Sequence, residues 1–365
     1  MSTRRLIAAI AAALLALGMG SCGGDDDSDG GDGGTSGGKL SGKIAVLLPD
    51  SKSSDRWETA DRRFFQQGFK AAGLSNDDYI INNAEGDPAI QRNQAEQAIT
   101  SGAKVILLVN LDPGSGAAII DDAKSQGVMM IDYDRLTVGG NADYYVSGDA
   151  TEAGRLQAEG LIEDLKGKDS PRIAILYGAP TDSFATDLKK GNTEILQSKG
   201  KNIDVAAEQA VPNWDGQKAL TIYEQMLQAS DEAFDGTLAA NDTLANATIA
   251  ARKSRKLAVI PTSGLDATVE ALQHILAGEQ SFTVYFSIKD QATKAAKLAV
   301  QVARGENPTG LNAKVDNEKR KVPTILLKPL TIRKDNIGDT VIADDFASWD
   351  DVCVGAYERY CPKNR

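Results

Sequence analysis

The feature that most constrains this chain is an alternation that begins at Lys43: short apolar runs, each followed by a longer amphipathic or Ala-rich stretch. Residues 44–48, 79–81, 105–109 and 128–131 are the first runs, too short for helices and apolar enough for strands buried on both faces of a parallel sheet. The stretches between them read as helices. Residues 57–72 carry Ala60, Phe64, Gly68 and Ala72 on one face; Asp87-Pro88 opens a helix that Gly102 stops; another spans 116–126. After a strand at 144–147 the rhythm restarts. Asp149 caps a helix to 165, and 172–177, 203–207, 236–240 and 257–262 read as strands among helices at 182–198, 216–229, from Asp242, and 267–277. Two such series imply two parallel-sheet lobes with right-handed crossovers, with 282–286 crossing between them and 290–303 a helix of the other lobe.

The fourth run ends abruptly in Asp132, Tyr133, Asp134 and Arg135. Charges at the carboxyl end of a buried strand either cap the sheet as a structural ion pair or serve a ligand, because open α/β sheets bind ligands beyond their strand ends. If two lobes face each other, the relevant positions are 50–57, 110–113 and Asp134-Arg135 in the first. In the second they are 179–184, Asn213-Trp214, Asn241-Asp242, 264–266 and Phe286. This set holds aromatics, amides, carboxylates and Arg, and it lacks a His, Cys or Ser–base pair for covalent chemistry. Aromatic faces beside such polar groups suit a sugar ring, whose C–H groups pack on the ring while its hydroxyls bond to Asp, Asn and Arg.

Other classes fit less well. A net charge of -11 argues against nucleic acid, which needs a concentrated basic face. Asp134 and Asp266 resemble a glycosidase pair only in type: Arg135 beside Asp134 lowers a carboxyl pKa where catalysis needs one raised, so no enzyme is expected. Gly114-Ser115-Gly116 begins like a dinucleotide loop but has Ile119 at the third glycine position, and no cofactor or metal is expected. The single histidine, His274, lies in a polar stretch of helix and reads as a surface residue.

The amino end is a targeting segment. Arg4 and Arg5 precede the apolar run 6–17, shorter than a bilayer span, as in a signal peptide. Gly18-Met19-Gly20-Ser21-Cys22 resembles a bacterial lipoprotein cleavage box, so 1–21 is expected to be removed and Cys22 lipidated, leaving the protein on the outer face of the cytoplasmic membrane through its lipid alone. Residues 22–40, almost all Gly, Asp, Ser and Thr, form a flexible acidic tether; the Asp25, Asp27, Asp29, Gly30 spacing begins like a calcium loop but has Ser36 where the bidentate Glu belongs. Cys353 and Cys361 then remain to pair as a disulfide in an exported chain, with a reactive or metal-binding pair disfavoured because no His lies near.

From Lys43 to about Ala343 the chain resembles the sugar-binding lipoproteins of ABC importers, in the xylose- and ribose-binding cluster of type I periplasmic binding proteins. The ordered motifs that carry this are Lys52-Ser53-Ser54-Asp55-Arg56-Trp57, Tyr133-Asp134-Arg135, Asp143-Tyr144-Tyr145-Val146-Ser147, Asn213-Trp214-Asp215, Ala240-Asn241-Asp242, Ser263-Gly264-Leu265-Asp266 and Thr283-Val284-Tyr285. The resemblance implies two Rossmann-like parallel-sheet lobes joined by a three-segment hinge, 41–148 with 286–305 forming the N-terminal lobe and 149–285 with 306–365 the C-terminal one. It also implies a monomer that closes on a sugar or polyol and docks on a permease, with signalling to a sensor kinase or chemoreceptor as the alternative output. Carried over by motif, the ligand residues are Arg56, Trp57, Asp134, Arg135, Trp214, Asn241 and Asp266, with Asn110 added from the ribose-binding branch. Phe184 and Phe286 replace an Asn and a Lys of the xylose pattern, Ala150 another Asn and Leu265 a Gln. The resemblance therefore implies a less polar pocket, with Phe184 and Phe286 setting selectivity.

Overall fold

The computed structural model describes residues 39–363. The expected signal peptide, Cys22 and the tether up to 38 lie outside the described residues.

The first sheet is built from β1 (Lys43–Leu48), β2 (Tyr79–Asn83), β3 (Ala103–Leu108), β4 (Met129–Tyr133) and β5 (Tyr144–Gly148), all parallel, in the order β5-β4-β3-β1-β2. Its strands alternate between two cores. Ala45 and Leu47 point toward α2 (Pro88–Thr100) and α3 (Pro113–Ser125), while Ile44, Val46 and Leu48 join Phe64, Phe65 and Phe69 of α1 (Arg62–Ala71). Burial on both faces explains why these runs are continuously apolar rather than alternating. A π-helical turn, Trp57–Asp61, precedes α1 and carries the start of the binding loop into the helix.

The second lobe begins with α4 (Ala150–Asp164), followed by β6 (Arg172–Tyr177), α5 (Ser183–Lys199), β7 (Asp204–Ala210), α6 (Gly216–Ala229), β8 (Gly236–Ala239), α7 (Asp242–Ser254) and α8 (Val269–Ala277). Its parallel sheet runs β7-β6-β8, and single bridges at Thr237–Thr262 and Leu265–Val284 extend it to β9 (Thr283–Tyr285). The strand expected at 257–262 is therefore only a bridge at Thr262; the backbone there runs extended but finds pairing at one point. Helices α4 and α5 touch through glycines: a Cβ on Gly154 would strike the backbone of Leu188, and one on Gly191 the backbone of Thr151. Only glycine permits this approach.

The chain crosses between lobes after β5, after β9 and after β11 (Lys321–Leu327). The second crossing delivers α9 (Ile288–Ala303), which packs on α1. From there β10 (Ala313–Asp316) and β11 form a hairpin on the first sheet, β11 lying parallel to β5. This corrects the expected assignment of 306–365 to the C-terminal lobe. Residues 313–327 complete the edge of the first sheet, where β5 would otherwise expose an unpaired ladder, and the chain returns to the second lobe only with β12 (Leu330–Ile332), antiparallel to β9. The crossings bond to one another: Asp149 N donates to Leu327 O at 2.8 Å, and the ring of Phe286 lies where a Cβ of Gly148 would stand. Beyond β12, α10 (Trp349–Val352) packs on α8, and a Cys353–Cys361 disulfide closes the tail. His274 lies under that tail, 5% exposed, beside Glu279, Glu270 and Tyr357, and is not the surface residue its polar sequence context suggests.

Candidate functional site

Helix caps bring the second lobe's polar groups to the cleft. Asp182 caps α5, Asp215 caps α6 and Asn241 caps α7, each accepting from backbone N–H groups of the first turn. In the first lobe Asp112 does the same for α3. These caps follow strands directly, so strand ends and helix starts converge on one gap.

There, Ser53, Ser54, Arg56, Trp57, Asp134 and Arg135 of the first lobe face Asp182, Phe184, Trp214, Asn241, Leu265 and Asp266 of the second around one shared space. Arg56 is the centre. Its Nε lies 3.0 Å from Asp61, its Nη2 2.8 Å from Asp134 and its Nη1 3.7 Å from Asp266, and its guanidinium stacks 4.2 Å from the Trp57 ring. Burial opposes its charge, but Asp134, Asp61 and Asp266 outweigh that and raise its pKa further above the ordinary value. Asp61, fully buried, is held above the usual carboxylate range by desolvation, against the pull of Arg56 and a 2.6 Å hydrogen bond from the Tyr133 hydroxyl.

Asp134 and Asp266 both sit in left-handed backbone, at φ 65° and 103°. Non-glycine residues hold such conformations where surrounding structure enforces them. For Asp134 the enforcement is visible: its carbonyl accepts from Tyr145 and Ser147 hydroxyls at 2.8 Å each, and its carboxylate from Gln291 at 3.1 Å. Trp214 is also left-handed, and its Nε1 donates to Asp182 at 3.0 Å. Trp57 Nε1 donates to Ser53 Oγ at 3.1 Å. Asp266 is raised to about 7, burial leading, Arg56 opposing and Asp134 adding to the rise.

Of the residues singled out in the sequence, Arg56, Trp57, Asp134, Arg135, Phe184, Trp214, Asn241 and Asp266 line this space; Asn110 and Phe286 do not. Asn110 stands behind Arg135, donating to its carbonyl at 3.1 Å and to Thr137 at 3.0 Å, so it buttresses rather than lines. Phe286 is turned into the hinge, against Gly148, with its ring 6.1 Å from that of Phe184. Asp182 lies within the strand-end segment 179–184 and is a pocket residue that the motifs do not name; its place before a helix start is the signal that marks it. Gln291 lies mid-chain on α9 and carried no local signal.

Two wound parallel-sheet lobes, three crossings and a pocket walled from both sides define a hinged, two-lobe solute-binding protein. The periplasmic binding protein domain matches residues 44–307, and the chain belongs to that family. It is 32% identical over 308 residues to the D-xylose-binding periplasmic protein of Haemophilus influenzae, covering 83% of this chain and 90% of that one. Among solved structures, a carbohydrate transporter solute-binding protein from Chloroflexus aurantiacus in complex with D-glucose superposes with a TM-score of 0.77 at 26% identity, over 84% of this chain and 97% of that one. The Caulobacter myo-inositol binding protein bound to myo-inositol gives 0.71 at 25%, over 83% and 97%.

Proposed function

We propose that this protein is an exported, lipid-anchored, monomeric binding protein that captures a monosaccharide or related polyol between its lobes and delivers it to an ABC permease. The observation that carries this is the pocket itself: Trp57, Trp214 and Phe184 offer ring faces, Arg56 and Arg135 donors, and Asp134 and Asp266 acceptors, from both lobes around one space. A pyranose or cyclitol has that division of apolar faces and hydroxyl edges. Xylose, glucose and myo-inositol as ligands of the relatives support the same class. In this reading 1–21 is cleaved, Cys22 is acylated, 22–40 is the tether, and lobes formed by 41–148 with 286–327 and by 149–285 with 328–365 close on the ligand.

Thermal-shift screening of pentoses, hexoses and polyols, followed by calorimetry, tests capture; no response to any of them would reject it. Mass spectrometry of the mature chain tests the anchor: a first residue other than Cys22, or an unmodified Cys22, would reject that part. Delivery is tested by uptake of the identified ligand in cells lacking this gene.

A further inference from the structure

The charges lining the pocket do not cancel: two guanidinium groups, Arg56 and Arg135, face three carboxylates, Asp134, Asp182 and Asp266. Taken pair by pair, the cations are already committed. Arg135 Nε lies 3.0 Å from Asp182, and Arg56 divides itself between Asp61 behind the pocket and Asp134 within it, at 3.0 and 2.8 Å. Asp266 is left with the far edge of Arg56 at 3.7 Å. Its side chain is 7% exposed, and the neighbouring Ser54 hydroxyl, on a residue 4% exposed, lies near enough to pull the Asp266 pKa down slightly but makes no full hydrogen bond among the described residues. Behind Asp266 lies fully buried Asp242, a second carboxyl group whose oxygens are taken up by Thr268 N, Thr283 Oγ1 and Gln280 Nε2.

A buried carboxylate without a full cationic partner is unfavourable, and either a proton or a cation relieves it. Neutral hydroxyls donate hydrogen bonds but bring no charge. We propose that the preferred ligand carries a primary ammonium group, as an amino sugar or amino-cyclitol, seated between Asp266 and the Ser54 hydroxyl. An ammonium matches this corner: one charge for the unbalanced carboxylate, and three donors for a carboxylate oxygen, a serine oxygen and one further acceptor. The inference rests on the reading of the cleft as a monosaccharide or polyol site and narrows that class to its cationic members. The groups facing Asp266 are Arg56, Asp55 and Ser54 from the loop after β1, Asp134 at the end of β4 and Asp242 at the start of α7. With that surrounding, burial pushes Asp266 up to about 7, so seating an ammonium against its carboxylate near neutrality releases protons.

Calorimetry on the mature protein, pairing D-glucosamine with D-glucose, D-galactosamine with D-galactose and an inosamine with myo-inositol, decides it. At about pH 7 at least one amine should bind roughly tenfold or more tightly than its hydroxyl counterpart, with proton release seen as a buffer-dependent enthalpy. At about pH 5, where Asp266 holds its proton, that advantage should shrink. Asp266→Asn should bring the ratio to about one. Should that variant fail to fold, the pH dependence of the wild type alone carries the test. Hydroxyl ligands binding as tightly as their amines in every pair would overturn the proposal and leave sugar capture standing. Absence of binding by either kind would overturn both.

Discussion

Arg135 Nε and Asp182 Oδ2 stand 3.0 Å apart across the cleft, one from each lobe, at 8% and 5% side-chain exposure. The same carboxylate accepts from Trp214 Nε1 and from the backbone of Phe184. One side chain therefore orients an aromatic wall, caps α5 and holds the opposite lobe. Asp182→Ala leaves a guanidinium and an indole N–H unpaired, and breaking a buried pair costs roughly 3–5 kcal/mol. Asp182→Asn retains an acceptor and should unfold closer to the wild type while still weakening closure. Thermal unfolding and small-angle scattering with ligand check the two effects separately; wild-type closure in the Ala variant would show the pair is idle.

Asp134 holds Arg56 at 2.8 Å and Gln291 at 3.1 Å. Asp134→Ala strands both donors in a buried site, so ligand affinity should fall by roughly 2 kcal/mol or more. Circular dichroism should show both lobes still folded. Calorimetric affinity within a factor of two of the wild type, roughly 0.4 kcal/mol, would contradict this.

Gly148 and Phe286 join two hinge crossings. A methyl group at Gly148→Ala meets the ring, and such overpacking costs about 1–3 kcal/mol. The double variant Gly148→Ala/Phe286→Leu should recover part of that loss in urea unfolding. Phe286→Lys buries an ammonium at the hinge and should lower stability without moving selectivity, whereas Phe184→Asn, in the pocket wall, should change the ranking of ligands. A selectivity change from Phe286→Lys at unchanged stability would return that residue to the pocket.

Burial pushes Asp242 up to about 8, helped by the charge of Asp266, and Asp132 up to about 7 despite hydrogen bonds from the Thr137 N–H and hydroxyl. Their unfolded value is the ordinary 3.8, so between there and about 8 the folded state holds protons that the unfolded chain lacks. These two groups contribute stability that is complete below the unfolded value and is lost as pH rises through the folded one. Asp132→Asn should flatten the decline in unfolding free energy between about pH 4 and about pH 7. Urea titrations across that range measure it, and an unaltered slope would mean Asp132 is ionised throughout.

By itself the sequence determined the βα rhythm, because burial on both faces of a parallel sheet imposes continuous apolar runs that need no partner to be read. It also determined that Arg56, Trp57, Asp134, Arg135, Phe184, Trp214, Asn241 and Asp266 sit at strand ends, and strand ends are where such sheets converge. What it left open depends on packing between distant segments. Gln291 meets Asp134 across 157 positions, and no local pattern encodes that meeting. Phe286 looks like a pocket residue by position, yet the missing side chain of Gly148 opens a place for its ring in the hinge. No local pattern marks which sheet the 313–327 hairpin joins; the pairing of β11 with distant β5 places it. His274, polar in its helix context, is buried because the disulfide-closed tail folds back over it, a contact 83 residues away from Tyr357 in the chain.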